Sequence, residues 1–201
     1  MSHPLFTHYA ALFASRGYSL YFIGGTSRDL LLGLVPSDFD FVTDATPEQE
    51  KEFLPNADYS FAKYGSLCDK SFGVECDFVS MREEGEYKDH RHPSYISFIK
   101  DPKKDSERRD FTINALYLNP DSGELLDFHG GMEDLKNKQV RFIGDPRKRI
   151  EEDPLRILRA ERFARRLGFS IEPESQKAIH ELRGLLSELN PQKVLQEQKK
   201  G

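Results

Sequence analysis

The 201-residue chain has no tryptophan, two cysteines and three methionines. Cys68 and Cys76 are too few for a disulfide framework and too far apart for a C-x-x-C metal knuckle. They read as structural thiols in a reducing compartment, which suggests the cytoplasm. Long apolar runs are missing as well. None approaches the ~20 residues needed to span a bilayer, and the N-terminus lacks a signal-peptide pattern, so no membrane role is expected. Internal repeats and low-complexity tracts are also absent.

What remains is the composition of a folded domain. Hydrophobic residues make up 37%, and the 14 glycines bring the apolar share near the globular average. The mean hydropathy of −0.64 marks a polar surface. The length suits one domain plus a smaller helical appendage, or one large domain.

The net charge of −5 is unevenly spread. Residues 1–100 carry 9 Lys and Arg against 15 Asp and Glu, whereas residues 101–201 carry 20 against 19. Within 141–166 (RFIGDPRKRIEEDPLRILRAERFARR) there are 9 basic and 5 acidic residues. An acidic half beside an arginine-rich segment suits a polyanionic substrate, although a solvated helix laced with ion pairs has the same pattern.

The periodicity predicts an opening helix, LFTHYAALFASRG, closed by Gly17, then a strand, YSLYFIGG, and a short helix, TSRDLLLG. A DFDFV strand follows, and ATPEQEKEFL reads as a helix with Thr46 as N-cap and Pro47 at its first position. Strands are expected at YGSLCDKSFG and VECDFVSM, then a polar loop from Glu83 to Lys104 around one short strand, SYISFI. FTINALYLN reads as a strand or a helix entry. From about residue 131 the pattern is helical: MEDLKN, DPLRILRAERFARRLG and PESQKAIHELRGLLSEL. The expected class is α+β, a mixed sheet with flanking helices over 1–128 followed by a helical neck over 129–201.

Two motifs carry chemistry. In SDFDFVTDA the alternation puts Phe39 and Phe41 on one strand face and Asp38 and Asp40 on the other, roughly 7 Å apart. Carboxylates that close repel unless a cation sits between them, and two hard oxygen donors suit Mg²⁺. An exposed strand that happens to be acidic is the alternative. Upstream, IGGTSRDLLLG places Gly24 and Gly25 at a strand-to-helix turn, where backbone N–H groups can meet an anion and Arg28 can fork onto phosphate oxygens. A phosphate-type turn ten residues before a paired-aspartate strand is a stronger signal than either alone. Asp77 in ECDFVSMR is a candidate third carboxylate, or an ordinary strand-surface residue. Asp153 and Arg156, three apart, are neighbours on one helix face and offer acceptors and a donor fork to a base edge. The same Asp-Pro pair also makes a good helix cap. His90 and His92 lack partners at zinc spacing and read as loop residues.

With GGTSRD and DFD together, the sequence resembles the polymerase-β-like nucleotidyltransferase superfamily. REEGEYKDHRHPSYISF, ERRDFTINALYL and EEDPLRILRAERFARRLGF narrow the resemblance to class II tRNA nucleotidyltransferases (CCA-adding enzymes) and the related bacterial poly(A) polymerases. It runs from about Tyr18 to Phe169, departing at Ser27, where the family usually has valine. The resemblance implies a nucleotidyltransferase head and a helical neck, without the family's body and tail domains before Gly201. It implies Mg²⁺ held by Asp38 and Asp40, with Gly24, Gly25 and Arg28 at the triphosphate. Arg109 and Asp110 would bind phosphates and ribose, Asp153 and Arg156 would read the base, and Arg159 and Arg162 would support the nucleotide. The implied activity is addition of C and A to the 3′ end of tRNA from CTP and ATP, with tRNA held weakly by so short a chain. The stretch Arg82–Lys104 matches the family's loop in full, which argues against addition of C alone. A bacterial poly(A) polymerase remains an alternative, disfavoured because AKYGSLCDKSFG lacks a basic G-R-R-F-like stretch. A non-catalytic nucleotide- or RNA-binding relative is another, disfavoured by the intact aspartate pair.

Overall fold

A computed structural model describes residues 4–86 and 93–199. His90 and His92 lie outside the described residues. The described chain divides into two units, residues 1–83, 96–106 and 114–128 in the first and 84–95, 107–113 and 129–201 in the second. Among the described residues no helix is long and apolar enough to cross a membrane.

The first unit opens with α1 (Pro4–Ser15), whose buried Leu5, Phe6, Tyr9 and Phe13 repeat at helical spacing. Its end is a two-bond C-cap: Gly17 N–H donates to the Ala14 carbonyl and Tyr18 N–H to that of Phe13. There follow β1 (Leu20–Phe22), α2 (Gly24–Leu31), β2 (Phe39–Thr43) and α3 (Pro47–Lys51). After α3 come β3 (Ser66–Asp69), β4 (Cys76–Ser80), β5 (Arg82–Glu84), β6 (Ile96–Phe98), α4 (Pro102–Glu107), β7 (Leu116–Leu118) and β8 (Leu125–Asp127). Thr46 caps α3 through a reciprocal capping box with Gln49, as the Thr-Pro pair predicts.

Six strands form one mixed sheet in the order β3-β4-β2-β1-β7-β8. Only the β2–β4 pair among them is parallel. Its register sets Phe41 against Phe78, whose rings stack 4.9 Å apart beneath α1 and hold the core with Tyr9 and Phe22. The next position sets Asp40 against Asp77 on the opposite face. Between α3 and the same sheet a carboxyl group is buried: Glu50 is 0% exposed, the Ser80 hydroxyl donates to its Oε2 at 3.4 Å, and its Oε1 has no hydrogen-bond partner among the described residues.

The second unit contains α5 (Gly131–Lys136), β9 (Gln139–Val140), α6 (Pro146–Glu152), α7 (Leu155–Leu167), β10 (Ser170–Ile171), α8 (Pro173–Leu182) and α9 (Pro191–Lys199). β9 and β10 pair in parallel, and Phe111 packs on Phe142 and Phe163. Helix α6, capped by Asp145 through the Arg147 N–H at 2.9 Å, was not among the predicted helices.

Candidate functional site

In the first unit, the chain leaves β1 and enters α2 through Gly24, whose φ of +63° side chains rarely adopt. A Cβ there would stand 3.4 Å from Asp40 Oδ2, so the glycine brings the helix start up to that carboxylate. Ile23, the N-cap, offers no side-chain acceptor to the first N–H groups of α2. The turn is locked to β2 by Thr26, a buried residue that the sequence reading passed over. Its hydroxyl donates to the Asp38 carbonyl at 2.9 Å and accepts from the Asp40 N–H at 2.8 Å. The Ile23 N–H adds a bond to the Asp40 carbonyl at 3.1 Å.

These bonds correct the strand expectation. Asp38 sits in a bend one residue before β2, because its carbonyl is bonded by the α2 hydroxyl. Asp40 is on the strand and shares its face with Asp77, which is exposed. Opposite Asp77, burial and then the Asp77 carboxylate push the Cys68 thiol up to about 11, so it remains protonated at neutral pH. Among the described residues, no three His, Cys, Asp or Glu side chains stand close enough to form a ready-made metal cluster. The donors around the turn are hard carboxylate oxygens beside solvent. They fit a hard divalent ion that takes one or two carboxylates and keeps its waters.

Arg28 departs from its expected role. It is 2% exposed, and its Nε and Nη2 fork onto Asp29 Oδ1 at 2.9 and 2.7 Å, while Nη1 donates to Asn114 Oδ1 at 2.8 Å. A buried guanidinium requires such partners, so the fork expected on phosphate closes inside the unit and ties α2 to Asn114. Gly25 packs over it, with a Cβ position 3.5 Å from Nη2.

In the second unit, Asp110, Asp153, Arg156 and Arg159 come together. Asp153 Oδ1 accepts the Leu155 N–H at 3.1 Å, and Oδ2 takes Arg159 Nη2 at 2.7 Å. The capping role and a charged role are therefore both present. Arg156, 3% exposed, donates through Nε to Asp110 at 2.6 Å and through Nη1 to Glu152 and the Arg149 carbonyl, each at 2.7 Å. Arg159 Nε also lies 2.8 Å from Asp110 Oδ2, an ion pair without hydrogen-bond alignment. Burial alone would raise the Asp110 carboxyl, but Arg159 and Arg156 outweigh it and hold the group at about 2. Burial likewise disfavours the Arg159 cation, and Asp110 and Asp153 overcome this to raise it.

The side chains of Asp153 and Arg156 thus bond to other groups, and each is oriented by them. Arg149 extends the lattice by donating to the Arg108 and Arg109 carbonyls at 2.6 and 2.9 Å, which fixes the Arg109 peptide. Arg162 stands apart from this cluster. It pairs with Glu197 of α9 at 2.9 Å and lies over the Phe163 ring. Glu152 and Arg149 were missed because nothing in their i,i+3 and i,i+4 spacing distinguishes them from surface ion pairs.

Comparison with known proteins agrees with this geometry. The family described as Poly A polymerase head domain matches residues 20–141. A CCA-adding enzyme of Lactobacillus helveticus is 37% identical over 181 residues, covering 90% of this chain and 45% of its own length. One from Leuconostoc mesenteroides is 38% identical over 178 residues, covering 89% and 44%. The chain therefore spans about half the length of the curated relatives it matches. Among solved structures, the Bacillus stearothermophilus CCA-adding enzyme in complex with CTP superposes with a TM-score of 0.87 at 30% identity, over 99% of this chain and 49% of that one. A tRNA nucleotidyltransferase complexed with a primer tRNA and an incoming ATP analog gives 0.76 at 32% identity, over 94% and 54%. An α+β mixed sheet, a glycine turn abutting a strand carboxylate and a match over most of that sheet place the chain in the poly(A) polymerase head-domain family, with CCA-adding enzymes as its relatives.

Proposed function

We propose that the chain is the catalytic head and neck of a template-independent RNA nucleotidyltransferase that adds C and A to the 3′ end of tRNA, using CTP and ATP and releasing pyrophosphate. Residues 1–128 form the head and 129–201 the neck in this reading. The observation that carries it is the approach of the α2 N-terminus to the Asp40 carboxylate at Gly24, held by the two Thr26 bonds. Uncapped helix N–H groups receive a triphosphate, and Gly24 and Gly25 let it approach the backbone. Mg²⁺ held by Asp38 and Asp40, with Asp77 on the same face, supplies charge neutralisation and a lowered pKa at the attacking hydroxyl.

The residues of the chain do the positioning. Arg28 keeps α2 in place through Asp29 and Asn114 rather than touching phosphate. Arg109 and Asp110 contact phosphates and ribose, Asp153 and Arg156 present acceptor and donor groups to the base, and Arg159 and Arg162 support the nucleotide. Their shared ion pairs make the base-reading groups rigid before a nucleotide arrives, which is what template-independent selection demands. CTP, ATP and tRNA occur together in the cytoplasm, where we place the activity.

Labelled-nucleotide incorporation into tRNA lacking its CCA end, with CTP alone, ATP alone and both, tests the reading. Ordered incorporation of C and then A is expected. Long runs of A with ATP alone would indicate a poly(A) polymerase, and no incorporation of any nucleotide would refute the proposal.

A further inference from the structure

Between α3 and β3, the stretch SFAKYGS forms a tight turn that nothing in the proposed nucleotide site uses. The Tyr64 N–H donates to the Phe61 carbonyl at 2.9 Å and the Gly65 N–H to that of Ala62 at 2.8 Å, one turn of 3₁₀ helix. Phe61 is the N-cap of this turn and Tyr64 its last residue, so the two aromatic residues flank it. Both are exposed, Phe61 at 64% and Tyr64 at 40%. Large rings left in water gain from burial against an apolar partner, and a flat partner can also stack on them.

The turn is also held rigidly. Gly65 has φ +76°, and a Cβ there would meet the Phe98 ring at 2.7 Å, so the chain packs tightly at that point. The Ser80 N–H donates to the Gly65 carbonyl at 2.7 Å, which fastens the turn to the end of β4. Two cations border the rings. Lys63 Nζ lies 4.8 Å from the Tyr64 ring centroid, and the Arg82 guanidinium donates to the Tyr64 carbonyl. This is local positive charge within a half of the chain that is otherwise strongly acidic.

We propose that Phe61 and Tyr64 form a stacking platform for unpaired bases of a single-stranded RNA, with Lys63 and Arg82 beside its phosphates. The proposal rests on the nucleotidyltransferase reading, since it supplies the surface along which the primer strand lies. Rings on a pre-ordered turn lose little freedom on binding, and base–aromatic stacking tolerates any sequence. Stacking and phosphate neutralisation are the two components of sequence-independent single-strand binding, and both are present on this one turn.

The test uses the full chain and a fluorescein-labelled single-stranded RNA oligonucleotide, read by fluorescence anisotropy, with CTP binding measured on the same preparations. Phe61→Ala and Tyr64→Ala are each expected to weaken RNA binding by roughly tenfold while CTP binding is unchanged. Tyr64→Phe should keep the wild-type affinity, because the ring and not the hydroxyl stacks. Lys63→Ala should lower the slope of log affinity against log salt by about one. RNA affinity unchanged in both alanine variants would overturn the platform and leave the nucleotide reading intact. Equal loss of CTP and RNA binding would assign the turn to the fold and overturn the platform too. A wild-type chain that binds neither CTP nor RNA would refute the nucleotidyltransferase reading itself.

Discussion

Replacing Glu50 by glutamine should remove a pH dependence from the stability of the protein. The Glu50 carboxyl is fully buried between α3 and the sheet, with a single long hydrogen bond from Ser80 to set against its lost hydration. Burial therefore pushes its pKa from 4.5 up to about 8, the Ser80 hydroxyl pulling only weakly the other way. A folded pKa above the unfolded one means that the folded state holds the proton more tightly. The resulting stability is complete below the unfolded pKa of 4.5 and is lost as pH rises through the folded value of about 8. Each unit in that window costs about 1.4 kcal/mol, so the wild type should lose about 3 kcal/mol between about pH 5.5 and about pH 8 from this group. Glu50→Gln preserves shape and cannot ionise. Its amide adds an offset, but the offset does not vary with pH. Urea unfolding of both proteins at the two pH values should show the difference between them shifting towards the variant by about that amount. Parallel pH profiles for wild type and variant would refute the reasoning, because Glu50 would then be ionised in the folded protein or reached by water.

Asp38→Ala and Asp40→Ala should each reduce nucleotide incorporation about a thousandfold or more with circular dichroism unchanged, and near-normal turnover with Mg²⁺ present would remove the metal assignment. Thr26→Val keeps the shape but removes the hydroxyl that bonds the Asp38 carbonyl and the Asp40 N–H, at about 1–3 kcal/mol, so thermal unfolding should come earlier and incorporation should fall. Arg156→Ala leaves Asp110 with Arg159 and Glu152 with Arg149 as their remaining cations, and should destabilise the chain by about 1–3 kcal/mol in urea unfolding. If Asp153→Ala lowers incorporation of all four nucleotides equally, rather than blurring CTP and ATP against UTP and GTP, that residue is a helix cap and nothing more.

Local grammar was legible where a cap coincided with an apolar rhythm. Thr46-Pro47 announced α3, and the spacing of Leu5, Tyr9 and Phe13 announced α1. Asp145-Pro146 has the same grammar, yet RKRIEE after it offers only Ile150 as an apolar residue, so α6 went unread. Gly24 and Asp40 could each be placed in an element from sequence. Their approach depends on the antiparallel register of Phe22 with Phe41, a long-range pairing that no local pattern encodes. Arg28 read as a phosphate ligand, because its partner Asn114 lies 86 residues away. In the second unit the resemblance supplied the residue names, whereas the pairing of Asp110 with Arg156 across 46 residues emerged only from the fold. The inclusion of 84–95 and 107–113 in that unit left no compositional mark.

Parallel strands cannot be joined by a hairpin, so the chain between β2 and β4 must cross over by way of α3 and β3 before the two can pair. Asp40 and Asp77 are 37 residues apart in sequence and become neighbours only when that loop has closed. Closing it costs chain entropy before any ladder bond forms, as does the longer closure that pairs Phe22 with Leu118. A chain in which β2 and β4 have not paired presents Asp40 and Asp77 singly, so the face they share exists only once the central pairing has formed.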